Sequence, residues 1–319
     1  MKVSVLGCGR WGSFIAWYLN RCGFDTALWG REASPRLKQL QEIRANEYLE
    51  MPEGVTLTDD LRFAAARAKI IVVAVDAQAL RGLLGRLAEC DIAGKPVVLC
   101  IKGLEQKTGK RLSVVAGETI GDASRIAVWL GPGHVQDFTA GIPGCMVIDS
   151  QNPKLVKSLC DKFSSRLIRF YYGTDLIGNE IGAASKNVVG IAAGMLDGLN
   201  MSSLKGALMA RGTREVARLI AAEGGDERSV YGLCHLGDYE ATLFSPHSHN
   251  RQYGELFIQG KTLDKLAEGV YTTHALTALS KKLGVDMPIV HAVHDMLFDG
   301  RTPSECFDRL FMRSRKHEF

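Results

Sequence analysis

The stretch VSVLGCGRWG, residues 3–12, decides the fold of this chain. A short apolar run ends at Gly7, glycines recur at Gly9 and Gly12, and apolar residues then follow at helical spacing. In a strand, turn and helix of this kind, the first glycine allows a tight turn and the second lets the backbone approach a pyrophosphate. The third lets the helix pack closely on the strand, and the helix N-terminus adds amide donors. The stretch therefore predicts a dinucleotide-binding turn, against the alternative of a merely glycine-rich turn.

The residues that follow predict a doubly wound parallel sheet. Nearly continuous β-branched runs at residues 69–75 and 96–101 are typical of parallel strands covered on both faces. After about residue 178 such runs stop and helical periodicity continues to the end. Further strands are predicted at residues 26–29, 128–130 and 145–148, and helices at residues 80–88 and 110–117. We expect an α/β protein with an N-terminal doubly wound Rossmann-like sheet, residues 1–178, and an all-helical C-terminal domain, residues 179–319.

The end of the second strand bears on the choice of cofactor. NAD-preferring sites place an acidic residue there to accept hydrogen bonds from the ribose hydroxyls. Here the position is Gly30, followed by Arg31, and an arginine offers two parallel donors to a 2′-phosphate. The sequence therefore predicts a preference for NADP(H). Glu32 keeps NAD(H) possible, and an ordinary surface position is the alternative for Arg31.

Polar residues follow three of the predicted strands, at residues 76–78, 102–105 and 131–134. A parallel sheet of this type carries its site at the carboxyl ends of its strands. Lys102 comes directly after a strand, so its ammonium should point into the crevice where phosphates or a carbonyl would lie. The alternative for Lys102 is a surface loop, the more frequent location of lysine.

The stretch EIGAASKNVVGIAAGMLD, residues 180–197, is apolar or small between its terminal acids, except at Ser185, Lys186 and Asn187. A helix of this composition is normally buried inside a large protein. A buried ammonium is costly unless it is paired, and desolvation lowers its pKa towards the range where it exchanges protons. Lys186 is therefore a candidate acid or base. The alternative is a lysine at a wet helix edge, with its stem packed and its amine in water.

Residues 233–254 combine glycines with many polar side chains, and they predict a long loop that forms part of a ligand site. Two histidines of this segment, His247 and His249, raise the question of a metal centre, as do His291 and His294 further on. No carboxylate or cysteine is placed beside them as a metal site would require, so we predict no metal.

The composition narrows the class of protein. The formal charge of +4 is too small to indicate nucleic-acid binding but suits an anionic small substrate. Met-Lys leads directly into an apolar strand without room for a signal peptide, and no apolar run is long enough to cross a membrane. The eight cysteines are scattered without a C-x-x-C pair, which predicts buried free thiols in a reducing compartment. We expect a cytoplasmic protein.

These motifs resemble, in order and over nearly the whole chain, those of the bacterial NAD(P)-dependent glycerol-3-phosphate dehydrogenases. GCGRWG is similar to the family's G-x-G-x-W-G, and IKGLE to its S-K-G-[IL]-E. EIGAASKNVVGIAAGMLDGL resembles its E-x-x-x-x-x-K-N-x-x-A-I-A-A-G-x-x-D-G-L. Further similar segments are LWGR, LGDYEAT, SHNRQYG and GKTLDKLAEGVYT. The Lys-Asn helix with the Asn-Arg segment is specific to this family and its near relatives.

The resemblance implies an activity and a set of site residues. Family members transfer a hydride between NAD(P)(H) and C2 of dihydroxyacetone phosphate, supply phospholipid synthesis and are usually homodimers. Lys186 would donate the proton, Lys102 would add positive charge and Asp238 would orient Lys186. The dinucleotide would be lined by Gly7, Gly9, Arg10, Trp11, Gly12, Arg31, Lys102 and Glu268. The phosphorylated triose would be bound by Lys102, Gly131, Asn187, Thr242, His249, Asn250 and Arg251.

Several positions depart from the family pattern. Gly133 replaces the serine of G-P-S and removes a hydroxyl donor, and Asp76 places a carboxylate near the cofactor. His249 replaces the arginine of S-R-N, and a histidine is only partly charged at neutral pH and cannot bind two phosphate oxygens at once. Arg251 is the nearest replacement. These departures keep two alternatives open: a divergent dehydrogenase for another 2-keto phosphate or hydroxy acid, and a non-catalytic dinucleotide sensor.

Overall fold

The structure, a computed structural model, describes residues 1–263, 267–315 and 317–318. The strands are β1 Lys2–Leu6, β2 Asp25–Trp29, β3 Thr56–Thr58, β4 Ile70–Val73, β5 Val97–Leu99, β6 Ile126–Leu130, β7 Gly144–Asp149 and β8 Ile168–Tyr172. Within the described residues they form one sheet in the order β3-β2-β1-β4-β5-β6-β7-β8. Because β1 lies between β2 and β4, the direction of winding reverses there, as in a doubly wound sheet. The predicted fold class is confirmed.

Helices cover both faces of this sheet. Phe14 of the first helix and Phe138 of the sixth pack on one face, whereas Leu80 and Val115 pack on the other. The buried strands therefore lie between two apolar layers, which explains their continuous β-branched runs. The helices around the sheet are α1 Arg10–Arg21, α2 Pro35–Ile43, α3 Leu61–Arg67, α4 Leu80–Ala88, α5 Leu112–Ile120, α6 Val135–Thr139 and α7 Pro153–Phe163.

The sheet is not parallel throughout, contrary to the prediction, because β7 runs antiparallel to β6. The helix between them, α6, has five residues and rises only about 7 Å, too little to carry the chain back along β6. The chain therefore enters β7 from the carboxyl end of β6. The edge strands β3 and β8 are not predicted either, since β3 has three residues and β8 has a half-exposed face.

One long helix, α8 Leu176–Gly198, organises the second half of the molecule. Its 23 residues follow Asp175, whose carboxylate accepts the backbone N–H of Gly178 at 3.1 Å and caps the helix. Every residue from Gly178 to Leu196 is buried, as expected for a helix that is apolar on all sides. The surrounding helices are α9 Lys205–Ala222, α10 His249–Ile258, α11 Glu268–Leu283, α12 Pro288–Phe298 and α13 Pro303–Phe311.

Helices α8 and α10 pack backbone against backbone. A Cβ added at Gly194 would lie 1.9 Å from the carbonyl oxygen of Arg251, and one at Gly254 would lie 2.0 Å from that of Ile191. Neither position has room for a side chain. The absence of side chains at this crossing therefore brings the first turn of α10 close to the middle of α8.

The segment 233–254 is largely helical, which corrects the prediction of a long loop. Leu236–Asp238 forms a 3-10 turn, Glu240–Phe244 forms a π-helical turn, and α10 starts at His249. Ser248 caps α10 by accepting the backbone N–H of Arg251 at 3.3 Å. The polar residues expected on a loop thus lie on short helical turns that face α8.

Nowhere in the described ranges does a helix have the length and apolarity needed to cross a membrane.

Candidate active site

A cleft of about 610 Å³ joins the glycine turn to the Lys186 helix. The carboxyl ends of β1, β4 and β5 supply residues 8–11, 74–76 and 100–102 of its wall, and the opposite wall comes from α8 and the first turn of α10. Such a crevice at the reversal of winding is where doubly wound sheets bind ligands. The site residues predicted from the sequence that line it are Gly9, Arg10, Trp11, Lys102, Lys186, Asn187, Asp238, Thr242, His249, Asn250 and Glu268.

Two lysines share one carboxylate in this cleft. Oδ2 of Asp238 lies 2.7 Å from Nζ of Lys102 and 2.8 Å from Nζ of Lys186. Lys102 also donates to the carbonyl oxygen of Gly131 at 2.6 Å, and its ammonium lies 5.9 Å from the centre of a Trp11 ring. With both lysines protonated and Asp238 ionised, the cluster carries one net positive charge. It therefore suits an anionic ligand or an oxygen that gains negative charge.

Lys186 lies deeper in the protein than Lys102, and its pKa is lowered to about 8. Burial is the largest cause, the Asp238 carboxylate opposes it, and the charge of Lys102 adds to it. Nζ of Lys186 also donates to Oγ1 of Thr242 at 2.7 Å, and that hydroxyl donates to the carbonyl oxygen of Asp238 at 2.6 Å. The ammonium is therefore held in one position, and its pKa lies in a range suited to proton transfer near neutral pH.

His235 and Tyr239 tie the turn that carries Asp238 to α8. Nδ1 of His235 lies 2.9 Å from the carbonyl oxygen of Gly182, and its Nε2 lies 2.7 Å from the Tyr239 hydroxyl. Both side chains are fully buried, and burial lowers the pKa of His235 to about 4, so the ring is neutral. This pair positions Asp238 from behind the site. The sequence shows His235 only as a polar residue of the segment.

An amide relay connects three helices at the cleft. Nδ2 of Asn250 donates to Oδ1 of Asn187 at 3.1 Å, and Oδ1 of Asn250 accepts the backbone N–H of Gly269 at 2.9 Å. The relay joins α8, α10 and the start of α11. Both asparagine side chains are thereby fixed in orientation at the cleft wall.

The glycine turn has the geometry that the motif predicts. A Cβ at Gly7 would lie 2.2 Å from the carbonyl oxygen of Ala74, and one at Gly12 would lie 1.7 Å from that of Gly7. These two glycines therefore serve the tight turn and the close packing, and the cleft lining does not include them. Gly9 faces the cleft, where its nearest neighbour is Nη1 of Arg36 at 3.5 Å from the added Cβ. The backbone at Gly9 is open to a pyrophosphate.

Three arginines lie near this turn in different settings. Arg10 donates to Oε1 of Gln136 at 2.7 Å, and its guanidinium lies 5.1 Å from the centre of the Tyr48 ring at the cleft edge. Arg31 is exposed and is not among the described residues that line the cleft. Arg36, which the sequence analysis does not single out, does line it. The signal for Arg36 is the pair Ser34 and Pro35, a helix cap and first helical residue that place it in the first turn of α2.

Glu268 lies beside the end of β4 on the cleft wall. Its Oε1 accepts the backbone N–H of Ala77 at 3.1 Å, while its Oε2 is buried and has no hydrogen-bond partner among the described residues. Burial and the charge of Asp76 raise the pKa of Glu268 to about 7. An unsatisfied buried carboxyl oxygen is costly, which favours a ligand that donates a hydrogen bond to it. In the surrounding motif GKTLDKLAEGVYT, residues 264–266 lie outside the described residues.

The residues predicted to hold a phosphate separate in the structure. His249 is half-buried on the cleft wall. Arg251 is not among the residues that line the described part of the cleft, because its Nη1 lies 2.8 Å from both Asp197 and Glu255 on the far side of α10. Gly131 contributes the carbonyl that Lys102 binds. His134, beside Gly133, lines the cleft next to His247, and burial lowers its pKa to about 4.

The histidines weighed as metal ligands do not come together. In the described parts of the chain, the side chains close enough to share an ion are His294, Asp295 and Asp299, outside the cleft. Asp295 is already paired with Arg301 and Arg309.

Comparison with known proteins identifies the family. A model of the NAD-dependent glycerol-3-phosphate dehydrogenase N-terminus matches residues 2–156, and the model of the C-terminus matches residues 175–308. The glycerol-3-phosphate dehydrogenase [NAD(P)+] of Prosthecochloris aestuarii is 38% identical over 332 residues and covers 100% of both chains. That of Fusobacterium nucleatum is 34% identical and covers 100% of this chain and 98% of its own. The crystal structure of the Coxiella burnetii enzyme superposes with a TM-score of 0.91 at 28% identity, covering 98% of this chain and 99% of that one. The chain belongs to the NAD-dependent glycerol-3-phosphate dehydrogenase family.

Proposed function

We propose that this protein is an NAD(P)-dependent glycerol-3-phosphate dehydrogenase that reduces dihydroxyacetone phosphate to sn-glycerol 3-phosphate and catalyses the reverse reaction. The observation that carries the proposal is the buried ammonium of Lys186, held 2.8 Å from Asp238 on the wall of a cleft that begins at the glycine turn. Family membership agrees with it. The protein would supply glycerol 3-phosphate for phospholipid synthesis.

The chain's own groups suit each part of this chemistry. A nicotinamide bound in the cleft would supply the hydride for C2 of the ketone. Negative charge grows on the carbonyl oxygen, and Lys186 stabilises that charge and gives it a proton. Lys102 adds a second positive charge, and Asp238 holds both lysines in place. In the reverse direction, neutral Lys186 accepts the proton of the alcohol.

The dinucleotide fits the cleft by two observations. The backbone at Gly9 is open towards the cleft, and Oε2 of Glu268 is buried without a partner among the described residues. The turn would hold the pyrophosphate, while Glu268, on the β4 side nearer Lys102 and Lys186, would lie at the nicotinamide end. Trp11 and Arg10 would border the same ligand.

We infer a preference for NADP(H) because the end of β2 carries Gly30 and Arg31 in place of an acid, and because Arg36, at the start of α2, lines the cleft. Of the two, Arg36 lines the cleft and should contribute more. Arg36→Ala should raise the KM for NADPH about tenfold with little effect on NADH, since it removes one charge-assisted contact. Arg31→Ala is the paired variant with the smaller expected effect. Equal KM values for the two cofactors in the wild type would contradict the preference.

The test of the activity is a steady-state assay of NADPH oxidation with dihydroxyacetone phosphate and a panel of other ketones. We expect turnover of dihydroxyacetone phosphate and little turnover of unphosphorylated dihydroxyacetone. The panel includes other 2-keto phosphates and 2-keto acids, because Gly133 and His249 replace two of the family's hydrogen-bond donors to the substrate, a serine and an arginine. Turnover of another compound alone would favour the divergent dehydrogenase, and NADPH binding without any turnover would favour the sensor.

Three further properties belong to this proposal. We infer a homodimer, as the resemblance implies, and a division into domains at residue 178. We also infer the cytoplasm, because all eight cysteines are free thiols, of which Cys8, Cys160, Cys234 and Cys306 are buried and the others half-buried. Sedimentation of the purified protein tests the homodimer, and fractionation of the cells that produce it tests the cytoplasmic location.

A further inference from the structure

A second cavity, larger than the catalytic cleft, lies on the opposite side of α8. It has a volume of about 870 Å³ and is bordered by the C-terminal half of α8 and by α9, α12 and α13. Small-molecule sites typically have volumes of about 300–1,000 Å³ and mostly apolar walls. The walls of this groove include Met195, Leu208, Ile289, Val293, Phe307 and Leu310.

Three arginines of α9 stand along this apolar groove. Arg211, Arg214 and Arg218 are three and four residues apart, so they lie on one face of the helix. Neither Arg211 nor Arg214 has a hydrogen bond or ion pair within the described residues. Arg218 donates from Nη2 to the carbonyl oxygen of Asp286, and its Nε is buried without a partner there. Glu215, between them, is held at the start of α12, where its carboxyl group accepts the backbone N–H groups of Ile289 and Val290 and burial raises its pKa to about 8. The described lining carries four arginines against three acids, and one of those acids, Asp286, pairs with Arg313.

We propose that this groove binds a free single-chain anionic amphiphile, with the alkyl chain along the apolar walls and the anionic head group on Arg211 and Arg214. The two parts of the groove match the two parts of such a ligand. Ala192 and Met195 of the groove belong to the helix that carries Lys186, so the ligand contacts that helix directly. The proposal is independent of the dehydrogenase activity.

Two other occupants fit less well. A symmetric contact with a second copy would set each arginine against another residue of the same patch, and two acids of the patch are already engaged: Glu215 by the backbone N–H groups of Ile289 and Val290, and Asp286 by Arg313. A lipid bilayer could fill the 870 Å³ groove only if a lipid moved its alkyl chain out of the bilayer and into the groove. A free amphiphile meets neither difficulty.

The experiment is calorimetric titration of the full chain with octyl, decyl and dodecyl phosphate below their critical micelle concentrations. Each added methylene should strengthen binding about fourfold, because it moves into an apolar environment. Dodecyltrimethylammonium is the control of opposite charge and should bind at least about tenfold more weakly than dodecyl phosphate. The double variant Arg211→Ala, Arg214→Ala should weaken phosphate binding about tenfold and keep the dependence on chain length.

A matched pair of variants locates the site. Ala207 is exposed on α9 and lines the groove, whereas Ala210 is exposed on the same helix outside its lining. Ala207→Trp should abolish binding of dodecyl phosphate, and Ala210→Trp should leave it unchanged, with circular dichroism showing that both fold. Equal binding of the cationic amphiphile, equal effects of the two tryptophans, or binding to anionic vesicles alone would overturn the proposal. So would a lack of alkyl phosphate binding together with a dimer that Ala207→Trp dissociates, since a second copy would then occupy the groove.

Discussion

Two clusters in this molecule place one carboxylate between two cations, and only one of them borders the catalytic cleft. Asp238 joins Lys102 and Lys186, while Asp197, eleven residues beyond Lys186 on α8, joins Lys205 and Arg251. In the second cluster, Asp197 also accepts a hydrogen bond from the Ser202 hydroxyl, and Lys205 donates one to the carbonyl oxygen of Leu243. The charge pattern is the same in both.

The difference between the clusters lies in what surrounds the charges. Burial raises the pKa of Asp197, but donors from Lys205, Ser202 and Arg251 bring it below its usual value, as in a structural ion pair. In the Asp238 cluster, which borders the cleft, burial and the neighbouring Lys102 lower the pKa of Lys186 to about 8. A buried ion pair therefore does not by itself indicate a catalytic site; a ligand must also be able to reach it.

The largest contrast is expected between Lys186→Met and Lys205→Met. The first removes the proton donor and should lower kcat for ketone reduction by about 10³-fold, with NADPH affinity nearly unchanged. The second should leave kcat within a few-fold and lower the free energy of unfolding by about 2 kcal/mol, since Asp197 keeps Arg251. Steady-state kinetics and urea unfolding measure both. If Lys186→Met keeps most of its kcat, the assignment of the proton donor is wrong.

The two carboxylates give the next contrast. Asp238→Asn should lower kcat/KM about 10²-fold because Lys186 is no longer held in place. It should also move the alkaline limb of the pH profile to lower pH, since the attraction that opposes deprotonation of Lys186 is lost. Asp197→Asn should spare the kinetics and destabilise the fold by about 3 kcal/mol, because the buried ammonium of Lys205 loses its carboxylate and Arg251 keeps only Glu255. A pH profile unchanged by Asp238→Asn would contradict its positioning role.

The pH dependence of the wild type sharpens the comparison further. With Lys186 as the proposed proton donor, kcat/KM for reduction should be level below about pH 8, the pKa of that group, and fall tenfold per pH unit above it. Oxidation of glycerol 3-phosphate needs the neutral amine and should rise through the same pH. Lys205→Met should leave both profiles in place. A reduction rate that stays level to pH 10 would argue against Lys186 as the acid.

The smallest contrast lies on the first turn of α10, where His249 faces the cleft and Arg251 faces Asp197. His249→Arg should lower the KM for dihydroxyacetone phosphate several-fold, since an arginine provides a full charge and two donors. Arg251→Ala should lower the free energy of unfolding by about 1–2 kcal/mol without a comparable change in KM. The reverse result would place the phosphate on the other side of the helix.

The sequence predicts most of the residues that meet in the candidate site, for identifiable reasons. Lys102 follows a continuous β-branched run and Lys186 interrupts an apolar helix, so each stands out locally. Asp238 lies 52 residues after Lys186 and 136 after Lys102 in the sequence, so local pattern cannot show that it pairs with them. Only the family motifs indicate this pairing. His235 and Arg36 have no such motif. Their roles depend on how a turn meets α8 and where α2 begins.

Other features escape the sequence because local pattern does not determine them. Residues 236–244 form 3-10 and π turns too short to show a helical period, so their polarity suggests a loop. The orientation of β7 depends on the length of α6 rather than on the composition of β7. Arg251 looks equivalent to His249 in the sequence, yet helical geometry turns the two residues to opposite sides.

The bare contact between α8 and α10 limits how this enzyme can diversify. At Gly194 and Gly254 even a methyl group would lie within 2.0 Å of a carbonyl oxygen, so the two helices are already in backbone contact. Any side chain at either position would push the helices apart and move His249 and Asn250 away from the cleft. Libraries that seek new substrates should therefore vary the side chains on the cleft side of α10 and leave both glycines untouched. Variants at the crossing would lose activity although they lie outside the cleft.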